Sequence, residues 1–189
     1  MCFAACGFDH GDVADARHDA PSDGPRDAPR DVPVDPPGID MNASVSIVIE
    51  AELPSSTVSA DGVHSWVVET ALTGFTGSGY ITLSPNDFNA CLVPTDTMCG
   101  AYSTYDITIP VAGTYRVIVH HRAMDGANDS VFWLIGNTVK FEILEPNMPG
   151  MWIDDTMTST VGLTAGPATF ALRSRETAAH IDSIRLDLQ

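Results

Sequence analysis

The sequence predicts an all-β domain, an antiparallel sandwich or barrel, behind an N-terminal segment that cannot fold. Three observations carry this. From Ser44 onward apolar and polar residues alternate with a period of two, Val, Ile, Thr, Tyr and Phe fill the short runs, and turn residues recur between them. No stretch sustains a 3.6-residue period that would mark a helix.

The N-terminal segment comes first. From Asp19 the chain reads DAPS, DGPR, DAPR, DVPV, DPPG, with Asp at 19, 23, 27, 31 and 35 and Pro at 21, 25, 29, 33 and 37. Proline every fourth residue removes backbone donors and blocks helix, and periodic Asp adds self-repulsion. Such a segment buries no apolar surface and is expected to stay extended. Twenty residues in polyproline II geometry would span on the order of 60 Å. The domain organisation expected is therefore a linker over 1–41 and a folded domain over 42–189. The linker reads as a spacer that carries the domain clear of a surface.

The strands follow in order. Val45, Ile47, Ile49 and Ala51 alternate with Ser46, Val48, Glu50 and Glu52. Further runs are 62–70, 79–83, 104–110, 114–121, 130–135, 139–144, 159–163, 168–173 and 180–188. Between them lie the turn signals Ser-Ala-Asp-Gly at 59–62, Pro-Val-Ala-Gly at 110–113, Asp-Gly at 125–126, Gly-Asn at 136–137 and Ala-Gly-Pro at 165–167. Short strands at this spacing belong to sandwiches and barrels.

Charge narrows the partners. The chain carries 25 acids against nine bases, a formal charge of −16. Both the linker and the domain are acidic, so no basic patch exists for nucleic acid or anionic lipid. No run of apolar residues is long enough for a transmembrane helix. Of the four cysteines, Cys91 and Cys99 sit in a polar stretch between Pro85 and Gly100. They read as a disulfide-closed loop in an oxidising compartment, or else as two free thiols. Their spacing and the lack of a nearby His argue against a metal.

Two resemblances add to this. Phe3-Ala4-Ala5-Cys6 resembles the end of a bacterial lipoprotein signal, which implies acylation at Cys6 and an extracellular or outer-membrane surface location. The second covers about residues 45–188: Ile49-Glu50-Ala51-Glu52, Gly77-Ser-Gly-Tyr80-Ile, Ile109-Pro-Val-Ala-Gly-Thr-Tyr115-Arg-Val, Leu163-Thr-Ala-Gly166 and Ile181-Asp182-Ser-Ile184-Arg-Leu186. In order and spacing these resemble the non-catalytic carbohydrate-binding modules of families 6 and 35, which are galactose-binding-like jelly rolls. A narrower likeness, Arg122 through Asp129-Ser130-Val-Phe-Trp133, then Trp152, Arg173-Ser-Arg175-Glu176 and Ile181-Asp182, resembles sandwich domains appended to bacterial surface proteins and glycoside hydrolases. Two departures stand out. The cysteine loop replaces the Gly-Asp-Trp segment of the family 6 modules, and His180 stands where those modules often carry Asn.

The candidate residues follow. Glu50 and Glu52, two apart on one strand, point to one face. The resemblance implies a structural calcium there, with Asp182 as third ligand and Asp187 as second choice; by themselves two edge-strand acids are more often merely solvated. Trp152, in the acidic, loop-like Pro-Gly-Met-Trp-Ile-Asp-Asp, is the expected sugar-stacking residue, and Tyr102 a second wall of the cleft. Trp133, inside an apolar run, reads as core, and Trp66 as ambiguous. Arg122, Asp129, Arg175 and Glu176 read as a polar network, either a structural clamp or ligand-facing with His180. His120 and His121, adjacent in a strand, are expected on opposite faces and make a poor chelate. No Gly-x-Ser-x-Gly elbow, His-Glu-x-x-His helix or phosphate loop is present, and Asp154-Asp155 read as solvated loop acids. The expectation is a monomeric, calcium-stabilised, non-catalytic module that binds a poly- or oligosaccharide. The rival is a structural or adhesive surface domain that binds a protein partner.

Overall fold

The computed structural model describes residues 44–189 apart from 88–90, 95, 97, 125–129, 137, 144–149 and 178. The linker repeat, Cys6 and Asp129 lie outside the described residues. The described residues form eleven strands: β1 (Ser46–Glu50), β2 (Ser56–Ser59), β3 (Ser65–Glu69), β4 (Tyr80–Ser84), β5 (Ala101–Ile109), β6 (Gly113–Arg122), β7 (Ser130–Ile135), β8 (Thr138–Ile143), β9 (Ile153–Leu163), β10 (Gly166–Ser174) and β11 (His180–Leu188). No helix is present among the described residues.

The strands form two antiparallel sheets. One runs β3-β4-β11-β6-β9, with β1 beside the C-terminal half of β11; the other runs β2-β5-β10-β7-β8. The all-β sandwich expected from the alternation is what the chain adopts. Inward side chains of both sheets close one core, in which Trp133 stacks on Phe170 at 6.2 Å and Phe170 meets Tyr105 at 6.3 Å. Trp133 and Trp66 are both buried in it. Tyr105 donates its hydroxyl to the Ala51 carbonyl at 2.9 Å, and burial holds that phenol well above its ordinary pKa.

The chain changes sheet at short turns. Between β5 and β6 the fully buried Tyr115 donates its hydroxyl to the Val111 carbonyl at 2.6 Å. This satisfies a turn carbonyl and fixes the corner, a device that sandwiches reuse. Along β11 the register to β6 slips between Ile181 and Ser183, so Asp182 is an extra residue in the strand. Such a bulge re-aims a side chain, and here it helps bring Asp182 against the β1 end, where the Ala51 N–H donates to the Asp182 carbonyl at 2.9 Å.

Candidate functional site

The acids of β1 and β11 form a cradle. Just beyond β1, Glu52 is buried, and its Oε1 accepts from the Ser78 N–H at 2.8 Å and the Ser78 hydroxyl at 2.9 Å. The fully buried Asp182 accepts from the Thr76 N–H at 3.0 Å and the Thr76 hydroxyl at 2.6 Å. Between Thr76 and Ser78 the loop needs Gly77, which has a φ of 64°. A Cβ there would lie 2.6 Å from Glu52 Oε1 and 3.1 Å from Glu50 Oε2, so any larger residue would enter the cradle. Glu50 Oε2 and Glu52 Oε2 are sealed from solvent without a hydrogen-bond partner. Burial, then the charges of Glu52 and Asp182, raise the Glu50 pKa. Anionic oxygens crowded together and left orphaned suit a hard cation. Among the described residues, however, no three His, Cys, Asp or Glu side chains close into a cage by themselves. A cation here would have to draw on backbone, hydroxyl or water oxygens besides Glu50 and Glu52. Asp187 is not part of the cradle. It lies at the far end of β11, accepting from the Ser46 hydroxyl at 2.7 Å and from Arg185 Nε at 3.1 Å.

Trp152 is not the exposed platform that its acidic neighbours suggest. β9 starts at Ile153, which pairs with His121, and Asp154 faces His120, so Trp152 lies against the sheet. Its ring stacks on His120 at 5.6 Å and meets Tyr80 edge-on at 5.4 Å. Its indole N–H donates to the Thr73 carbonyl at 3.0 Å. Gly74, with a φ of 99°, passes so close that a Cβ would lie 2.8 Å from Trp152 Cδ1. Trp152 is thus a half-buried buttress between the sheet and the loop that carries Thr76 and Gly77. Tyr102 cannot wall a cleft with it, because β5 belongs to the other sheet, where the Arg173 guanidinium lies 5.1 Å from the Tyr102 ring.

A cleft opens on the six-stranded sheet, beside Tyr80. It is about 380 Å³ in volume and takes Glu69 from β3, Thr82 and Ser84 from β4, His180 from β11 and Arg122 from β6. Leu72, Asn86 and Met124 join from the loops. Register explains the convergence: His180 is directly opposite Thr82 on one side and Arg122 on the other. Residues opposite one another in adjacent strands share a face. His180 Nδ1 lies 3.2 Å from the Arg122 carbonyl, and burial lowers the pKa of its ring. Beside the cleft, His64 bridges Asp61 at 2.7 Å and Asp87 at 3.0 Å, tying the loop of Asn86 to the β2–β3 turn. The backbone N–H groups of His64 and Val63 lower the Asp61 pKa to about 2 against the effect of burial.

The expected polar network is split. Arg122 belongs to the cleft, whereas Arg175, Glu176 and Ser130 bind one another at the end of the five-stranded sheet. The disulfide joins Cys91 and Cys99. Arg173 donates to the Pro94 and Asp96 carbonyls inside that loop, and the Cys91 N–H donates to the Arg175 carbonyl at 2.9 Å. The His pair divides as alternation requires, with His121 fully buried and His120 partly exposed. Glu69 and Asn86 are cleft residues that the sequence reading missed. Glu69 ends a strand run and carries no motif, so pairing with Tyr80 alone reveals its place.

The fold is an antiparallel β-sandwich of the jelly-roll kind, and it is shared with solved carbohydrate-binding modules. Among solved structures the chain is similar to the C-terminal family 6 module of a marine laminarinase from Zobellia galactanivorans. The TM-score is 0.54 at 18% identity, over 75% of this chain and 98% of that one. A family 35 module from Clostridium thermocellum matches with a TM-score of 0.54 at 15% identity, over 75% of this chain and 97% of that one. A Podospora anserina mannanase that carries a family 35 module matches with a TM-score of 0.53 at 21% identity, over 76% of this chain. Of that enzyme the chain spans only 28%. No family model matches the chain, and no curated protein does.

Proposed function

We propose that the folded domain is a non-catalytic carbohydrate-binding module that holds a saccharide in the cleft of Glu69, Arg122 and His180. The observation that carries the reading is the convergence of charged and polar side chains from four adjacent strands on one cleft of about 380 Å³. That size suits a small ligand, and a few placed polar groups over apolar walls give orientation and specificity. The fold likeness to whole modules supports the reading. Its test is retention of the protein on immobilised oligosaccharides. Wild type should be retained and His180→Ala, checked for folding, released; equal retention of both would move the site away from the cleft.

Calcium belongs to the same reading. Glu50 and Glu52 would hold the ion through their orphaned oxygens, with Asp182 adding charge and anchoring the Thr76–Ser78 loop. The ion would fix the loop that rests on Trp152 and would supply stability rather than chemistry. The protein would act as a monomer outside the cell, where the Cys91–Cys99 disulfide persists. The Asp/Pro repeat would hold it off a surface, through a lipid on Cys6. Incorporation of labelled palmitate that survives Cys6→Ala would refute the anchor.

One observation favours a protein partner instead. Leu92, Val93 and Met98 are exposed on the disulfide loop that Arg173 braces, and aliphatic side chains on a rigid loop suit a protein pocket better than a sugar. Absence of any glycan binding would turn the reading that way.

A further inference from the structure

The cleft contains a guanidinium and a carboxylate that do not neutralise each other. Arg122 and Glu69 line it together, yet among the described residues neither takes part in an ion pair. In a chain with 25 acids for nine bases, an arginine is not left alone for want of partners. Arg175 and Arg185 both pair with acids. Arg122 Nε is sealed from solvent without a partner. Gly150 lies beside the guanidinium, where a Cβ would be 3.5 Å from Nη2, and its N–H donates to the Ala123 carbonyl at 2.9 Å. Glu69 Oε2 accepts from the Tyr80 hydroxyl at 3.2 Å, so the carboxylate is held in place while its other oxygen stays available. His180 stands on the strand between β4 and β6. The Arg122 carbonyl can only accept, so Nδ1 carries the proton of the neutral ring and Nε2 is left as an acceptor.

We infer that the cleft takes a neutral saccharide end with adjacent hydroxyls, held between Arg122 as donor and Glu69 and His180 as acceptors, and rejects the carboxylated counterpart. The inference rests on the carbohydrate reading above and deepens it. A hydroxyl both donates and accepts, so two neighbouring ones satisfy a guanidinium and a carboxylate at once. A uronate would satisfy Arg122 but set a second negative charge beside Glu69, inside a protein already at −16. An amino sugar would satisfy Glu69 and confront Arg122. Only the neutral ligand leaves neither charge opposed.

The test titrates the full-length chain calorimetrically with neutral hexose-terminated oligosaccharides and with the same oligosaccharides oxidised at C6 to uronates. The neutral series should bind, with each uronate weaker by about tenfold or more. Glu69→Gln should narrow that gap to about threefold or less, and Arg122→Met should weaken neutral binding about tenfold. Circular dichroism and melting confirm that each variant is folded; if Arg122→Met is not, Glu69→Gln decides. A preference for uronates, or a gap unchanged in Glu69→Gln, overturns the inference and leaves the carbohydrate reading standing. A folded wild type that binds neither series overturns both.

Discussion

His121 gives the domain a calculable sensitivity to acid. Its side chain is fully buried, and neither ring nitrogen has a hydrogen-bond partner. Asp155 Oδ2 stands 3.7 Å from Nε2, too far for a hydrogen bond. Burial, and secondarily the neighbouring His120, lower the His121 pKa from 6.5 to about 4. A histidine depressed in this way contributes stability that is present above its unfolded pKa and is lost as pH falls towards the folded value. The loss relative to pH 7.5 works out at about 1.4 kcal/mol by pH 5.5 and about 3 kcal/mol by pH 4. Other groups titrate in this window, so the comparison must be differential. His180 is also depressed, Glu50 is raised and works in the opposite direction, and Asp61 at about 2 matters only at lower pH. His121→Leu removes the imidazole and both orphaned nitrogens, a change that is near neutral at pH 7 because nothing is left unpaired. Urea unfolding at pH 7.5, 5.5 and 4 should show the variant gaining on wild type by about 3 kcal/mol across the range. Parallel pH profiles would refute the reasoning.

Calcium at a hundredfold excess over its dissociation constant should stabilise the domain by about 2.7 kcal/mol and raise its melting temperature by roughly 5–10 °C. An unchanged melting curve on adding calcium to metal-free protein, or a rise that survives Glu50→Gln with Glu52→Gln, would remove the cradle as its site. Tyr115→Phe leaves the Val111 carbonyl without its hydroxyl donor and should cost about 1 kcal/mol in urea unfolding, a figure that an undisturbed midpoint contradicts. Cys91 and Cys99 are eight residues apart, and replacing both with Ser should cost about 2.5 kcal/mol through released loop entropy. An identical unfolding midpoint for the double variant would show that Arg173 alone holds the loop.

The fold was legible because strand periodicity is local. Alternation marks β1, β3 to β8, β10 and β11, and the opposite exposure of His120 and His121 follows from the same rule. β2, the short Ser56–Ser59, has one apolar residue among hydroxyls and becomes a strand only by pairing with β5. The first half of β9 hid behind Asp154 and Asp155, acids that read as loop. Asp154 is in fact held by His120 at 2.6 Å and Arg185 at 3.6 Å. That error carried Trp152 with it, since a strand start lays the ring against the sheet. The cleft was legible in part. Arg122 carried a motif resemblance and His180 stood out as a departure from one, whereas Glu69 and Asn86 reach the site through strand pairing and loop closure. Tyr102 was misplaced because sequence distance says nothing about which sheet a strand joins.

The most direct test of the central claim is amide hydrogen exchange on the full-length protein with and without a saturating neutral oligosaccharide. Protection is expected at the end of β3, along β4, at the start of β11 and at the end of β6, the strands that carry Glu69, Thr82, His180 and Arg122. Protection confined to the Cys91–Cys99 loop, or none at saturation, would contradict the claim.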